Sequence, residues 1–201
     1  MESHITFVLD SSGSMPSIED DTRGGFNSFL QDQRDEEGTA TVILYELNTN
    51  VERVYQEYPI ADAPELDQHN YTPGGRTALH DAIYRAVKDT AADIKQRDTD
   101  NRPENVIVVV LTDGKENASE THQERVRKQV EIRREDHDWE FLFIGANQNA
   151  ALTAEKMGMD QERSLNMSHS GEGAQAAYES TSERISQARQ QGTTGGYDEI
   201  D

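Results

Sequence analysis

Cysteine is absent from the 201 residues. Disulfides and thiolate metal sites are excluded with it. No apolar run is long enough to cross a membrane, and the chain enters a strand-like stretch almost at once. Neither a transmembrane segment nor a signal peptide is therefore expected, and the expected location is cytoplasmic. Positive charge is scarce: 19 Lys plus Arg stand against 39 Asp plus Glu, a formal net charge of −20. So acidic a surface repels nucleic-acid phosphate and anionic membranes, and neither is expected as a partner. The acidity has two other readings. One is attraction of a basic partner or of cations, and the other is solubility in a high-salt host, where self-repulsion is screened. Hydrophobic residues make up only 33%. They are grouped into runs, as in a folded rather than a disordered chain. No internal repeat occurs at solenoid periods. The length suits one domain with a full-sized core: residues 1–191 are read as that domain, and the Gly-rich, acidic 192–201 as a disordered tail.

The apolar runs alternate in type. Ile5 to Leu9, Thr39 to Glu46, Asn105 to Thr112 and Trp139 to Ala146 read as buried strands, rich in β-branched and aromatic residues. Val51 to Tyr58 is short and polar, and lies close behind its predecessor across the turn signal Asn48-Thr49-Asn50. It reads as an antiparallel edge strand joined by a hairpin. Helical periodicity marks Ser17 to Asp35, Thr77 to about Arg97, Glu120 to His137, Ala150 to Met157 and Gly173 to Gln190. Ser17 reads as the first helix's N-cap, and Arg163 to Met167 as a last short strand. The expected architecture is α/β: a Rossmann-like, doubly wound, mostly parallel central sheet with one short antiparallel edge strand and helices on both faces.

Three stretches carry chemistry. The first strand breaks off in Asp10-Ser11-Ser12-Gly13-Ser14, placing Asp10, Ser12 and Ser14 where a strand's carboxyl end opens into a loop. Ligands bind at that edge in open α/β sheets. Thr77 follows Gly74-Gly75 at a helix start, and Asp113-Gly114 ends the most apolar strand, repeating the placement of Asp10. Carboxylates and hydroxyls offer only oxygen, which suits a hard divalent cation such as Mg2+, Mn2+ or Ca2+. Each residue also has a plainer reading. The serines and Thr77 are good helix N-caps, and Asp113 would serve as a cap or as an arginine's partner. Met15, Pro16, Tyr71, Pro73 and Arg76 flank these positions and are expected to form a rim around them, with Arg76 aimed at a partner's acid or paired within its own domain.

Asp10-x-Ser12-x-Ser14, Thr77 after Gly74-Gly75, and Asp113-Gly114, in that order and in those contexts, resemble the von Willebrand factor A (vWA) domain family and its metal-ion-dependent adhesion site. The resemblance runs from Ile5 to about Gln190. It implies a Mg2+ (or Mn2+ or Ca2+) ion held by Asp10, Ser12, Ser14, Thr77 and Asp113, with the serines ligating through their hydroxyls and the aspartates mostly through water. It implies a protein partner that completes the coordination with an Asp or Glu. With no second module or membrane segment expected, the chain is more similar to the stand-alone intracellular members, which often accompany an ATPase, a stress-response cluster or a larger assembly.

The competing reading is a metal-dependent hydrolase or phosphatase on the same kind of sheet. Position 12 is serine, so no D-x-D pair follows the first strand. No G-x-S-x-G elbow, G-x-x-x-x-G-K-[ST] loop or G-x-G-x-x-G fingerprint occurs. His80 and His122 are the candidate bases for that alternative. The expectation is a binding module and not an enzyme.

Overall fold

The computed structural model describes residues 2–146 and 149–197. Seven strands form one sheet: β1 (Glu2–Asp10), β2 (Thr39–Leu47), β3 (Val51–Arg53), β4 (Tyr58–Pro59), β5 (Asn105–Thr112), β6 (Glu140–Ala146) and β7 (Ser164–Met167). Their order is β3-β2-β1-β5-β6-β7, with β4 also pairing to β2. The pairs among β2, β1, β5, β6 and β7 are parallel. Each parallel link needs a crossover, and the helices α1 (Glu19–Asp35), α2 (Leu79–Gln96), α3 (Gln123–His137), α4 (Ala150–Lys156) and α5 (Gly171–Gln191) lie in the intervening segments or close the chain. The doubly wound α/β reading is therefore the fold observed.

Strand alternation sends side chains to two cores. Ile5, Phe7 and Leu9 face a core closed by α1 and α5, whereas Val8 and its neighbours face one closed by α2, α3 and α4. In the first core the ring of Phe7 meets Phe26 edge-on at 5.2 Å and stacks on Tyr178 at 6.1 Å. The helix pair closing it depends on a glycine. A Cβ at Gly25 would lie 2.2 Å from the Tyr178 ring, whereas one at Gly24 would meet nothing within 4 Å. The adjacent substitutions are thus expected to act in opposite directions. Gly24→Ala should raise stability by about 0.5–1 kcal/mol through helix propensity, and Gly25→Ala should lower it by about 1–3 kcal/mol through overpacking. Urea midpoints of the two variants check this; equal shifts would exclude the close approach as the reason for Gly25.

Four local readings are corrected. The antiparallel edge over 51–58 is present but interrupted: Val54 and Tyr55 both direct their N–H groups to the carbonyl of Leu44, which turns the Tyr55 side chain into the core. Ser17 is not the cap of α1, whose N-cap is Ile18 with no side-chain bond. Helix α2 begins after Ala78 and not at Thr77. Residues 192–197, read above as part of a disordered tail, instead dock: Glu140 accepts from the Thr193 hydroxyl (2.8 Å) and the Thr194 N–H (2.5 Å), and Tyr197 donates its N–H to the Glu162 carbonyl (2.7 Å). Residues 198–201 lie outside the described residues.

Candidate functional site

β1 and β5 are neighbours in parallel, so their carboxyl ends carry Asp10 and Asp113 to the same edge of the sheet. Both are buried. Ser12 bends back so that its N–H reaches Asp10 Oδ1 at 2.6 Å, an Asx turn that ends the strand. The Thr112 hydroxyl donates to Asp10 Oδ2, and Tyr71, buried beneath the loop, donates its phenol to the Asp10 carbonyl at 2.6 Å. Backbone bonds also tie the Gly-Gly loop to the serine loop: Gly13 N–H to Gly75 O (3.0 Å) and Gly74 N–H to Ser11 O (2.7 Å). That link carries Thr77 to the site. Its N–H donates to the Asn117 side-chain carbonyl (2.9 Å) while its own carbonyl accepts from the Asn117 N–H (3.0 Å), locking the Gly-Gly loop to the segment after Asp113.

The side chains converge. Ser12 and Ser14 hydroxyls are 3.3 Å apart, and the Ser14 hydroxyl donates to Asp113 Oδ1 at 2.5 Å. A Cβ on Gly114 would meet Thr77 Oγ1 at 2.6 Å and Asp10 Oδ2 at 3.4 Å. Thr77 and Asp10 therefore meet beside Gly114, where the absence of a side chain leaves them room. Above them is a recess of about 370 Å3 whose wall includes Ser12, Ser14, Thr77, Asp113 and Lys115. Burial pushes the Asp10 carboxyl up from its ordinary value and nearby Asp113 adds to this, while the bonds from Thr112 and Ser12 work against it.

The plainer readings do not describe these residues. Ser14 makes no side-chain cap to the turn it precedes, and Thr77 caps nothing. Asp113 is engaged by the Ser14 hydroxyl and by a histidine. Its Oδ2 lies 2.6 Å from His169 Nε2, on the loop between β7 and α5. His169 was invisible in the sequence, where Ser168-His169-Ser170 is one more polar stretch after a short strand. The supposed rim also changes. Met15 and Tyr71 are buried, and the Arg76 guanidinium donates to the Asn117 carbonyl rather than to an acid. His80 faces Glu116 at 4.0 Å, and His122 precedes α3; neither lines the recess.

The donor set around the recess is hydroxyl and carboxylate oxygen, which fits a hard divalent cation and leaves room for water. Among the described residues, no group of three or more His, Cys, Asp or Glu side chains gathers as a metal site by itself. Any ion here would depend on the hydroxyls of Ser12, Ser14 and Thr77.

No protein-family profile and no curated protein matches the chain. Solved structures do. Proximal thread matrix protein 1 from the mussel byssus, described with a zinc-occupied MIDAS motif, is similar with a TM-score of 0.65 at 14% identity over 92% of this chain and 46% of that one. The PilB minor pilin from Streptococcus sanguinis gives 0.66 at 12% identity over 93% and 62%. The ArnB paralog VWA2 from Sulfolobus acidocaldarius gives 0.58 at 15% identity over 90% and 44%. The chain thus spans less than two thirds of each of these proteins, and at such identities what is shared is the fold, which is vWA-like. Among the described residues, no helix is long and apolar enough to cross a membrane.

Proposed function

We propose that the protein is a non-catalytic binding module that grips a partner's carboxylate through a divalent cation, Mg2+ or Mn2+, held by Asp10, Ser12, Ser14, Thr77 and Asp113. The observation that carries this reading is the convergence of three hydroxyls and two buried aspartates from three separate loops on one open recess. The physical sense lies in the donor types. Neutral hydroxyls leave most of the cation's charge uncompensated, so it retains the pull to take one more carboxylate from outside. The mussel protein's zinc-occupied MIDAS supports a cation at such a site in this fold. Lys115 is exposed at the recess and adds a second positive group for the incoming acid.

The net charge of −20 shapes the partner. It repels an acidic surface at long range while the cation rewards one carboxylate at contact. The fitting partner presents a single Glu or Asp within a neutral or basic surface.

An array of otherwise basic peptides, each with one central Glu or its Gln counterpart, tests this. Retention is expected only for Glu peptides, only with Mg2+ or Mn2+, and not after EDTA. Thr77→Ala should abolish it. Equal retention of Glu and Gln peptides, or retention that survives EDTA, would exclude the cation as the gripping element. Turnover of phosphate or ester substrates in Mg2+ would favour the hydrolase reading instead.

A further inference from the structure

We propose that His169 is the positioning residue of the candidate metal centre: its imidazole holds Asp113 by one carboxylate oxygen and leaves the other for the cation. This rests on the cation reading above, and goes beyond it by adding a residue from a fourth loop to the machinery.

The contact is short and one-directional. His169 Nε2 lies 2.6 Å from Asp113 Oδ2. A carboxylate oxygen can only accept, so Nε2 carries the hydrogen. The opposite oxygen, Oδ1, faces the hydroxyl of Ser14 at 2.5 Å. Asp113 is thus held at both ends, with Oδ1 on the side where the ligating hydroxyls lie. The aspartate's side chain is fully buried and the imidazole is 25% exposed, so little water competes for the bond.

The loop that delivers the imidazole is built to stay in place. Ser170 caps α5, its hydroxyl accepting from the Gly173 N–H at 3.1 Å, and its own N–H turns back to the Ser168 carbonyl at 2.8 Å. A Cβ at residue 173 would strike that same carbonyl at 2.2 Å, so glycine there lets the cap close on the loop. One strand earlier, Asn166 ties the end of β7 to the start of α4 by accepting from the Ala150 N–H at 2.9 Å. A short loop pinned at both sides sets the imidazole's direction in advance of any ligand.

Nε2 is committed to Asp113 as a donor, whereas a metal-binding imidazole must present a bare nitrogen. His169 therefore acts through the aspartate, and its loss should weaken a hard and a borderline cation alike. Residues that orient a metal's ligands in this way are typically worth ten- to a hundredfold in affinity.

The test is titration of Mg2+ and Mn2+ into the whole protein by calorimetry, with Mn2+ repeated by electron paramagnetic resonance. His169→Ala is expected to raise both Kd values about 10–100-fold. His169→Gln, whose amide also donates from Nε2, should recover most of the loss. In EDTA His169→Ala should melt lower, because it unpairs buried Asp113 Oδ2, and His169→Gln should recover most of that midpoint. Unchanged affinity in His169→Ala would overturn the proposal. So would a loss confined to Mn2+, which would mark His169 as a direct ligand, and so would a His169→Gln variant that recovers the EDTA midpoint but not the affinity, which would show that the Nε2 hydrogen bond does not position Asp113 for the cation. If the unsubstituted protein binds neither metal, the cation reading fails, and this inference with it.

Discussion

The protein is expected to melt several degrees higher in Mg2+ or Mn2+ than in EDTA, and Asp10→Ala is expected to erase the difference. A ligand that binds only the native state adds about 2.7 kcal/mol at a hundredfold excess over Kd. For a domain of this length that corresponds to a rise of roughly 5–10 °C. The site should nonetheless be folded without metal, because its buried groups already have partners. Asp10 is held by Ser12 and Thr112, and Asp113 by Ser14 and His169. The cation adds to a pre-assembled pocket rather than nucleating one. Asp10→Ala removes a buried carboxylate from the centre of the pocket, so the metal response should vanish. Ser11→Ala is the control, since that hydroxyl turns away to the Leu47 carbonyl at 3.2 Å. The pH dependence has a definite sign. Burial raises the Asp10 carboxyl above its usual value, and the cation needs it ionised. The metal-induced gain is therefore complete above that raised value and fades as pH falls through it. Identical midpoints in Mg2+, Mn2+ and EDTA at neutral pH would count against the site.

Arg189→Ala is expected to cost about 3 kcal/mol or more, measured as a lowered urea midpoint. Arg189 sits in the last turn of α5 and is buried. Its guanidinium reaches across to the end of α1. One arm donates to the Gln33 carbonyl and to Gln33 Oε1 (3.1 Å), and the other reaches the carbonyls of Glu36 (3.3 Å), Glu37 (3.4 Å) and Gly38 (3.1 Å). The Gln33 carbonyl is among the acceptors that the end of α1 leaves without helical partners, and those of Glu36, Glu37 and Gly38 belong to its C-cap and the turn that follows. One side chain satisfies them because its planar fork presents several donors at fixed angles. Removing it strands the two acceptors of buried Gln33, its carbonyl and its Oε1, at about 1–3 kcal/mol for each one left unmet; the carbonyls of Glu37 and Gly38 belong to exposed residues and cost less. Arg189→Lys, with a compact ammonium in place of the fork, should recover only part of the loss. A change below about 1 kcal/mol in Arg189→Ala would show that water replaces the guanidinium.

Much of the molecule follows from local pattern alone. The runs Ile5 to Leu9, Asn105 to Thr112 and Trp139 to Ala146 have no stable place except as strands buried on both faces, and helices between parallel strands force a doubly wound sheet. The same pattern places Asp10 and Asp113 at strand ends on one edge, and hydroxyls beside them. Those groups were legible because each lies within a few residues of the strand or glycine pair that positions it. Other features depend on what a residue meets far away in the chain. Tyr71 reads as a loop residue, yet its phenol supports the Asp10 carbonyl from beneath, 61 residues away in sequence. Arg189 is one charge among many on a polar helix, yet it reaches the end of a helix more than 150 residues distant. His169 has no motif around it, and only the neighbouring of β5, β6 and β7 in the sheet brings its loop onto Asp113, 56 residues earlier. Periodicity and turn chemistry are properties of a few consecutive residues, so sequence alone determined the sheet, the loops and the oxygen donors. Which buried donor meets which acceptor is decided by packing between elements, and only the tertiary structure could settle that for Tyr71, His169 and Arg189.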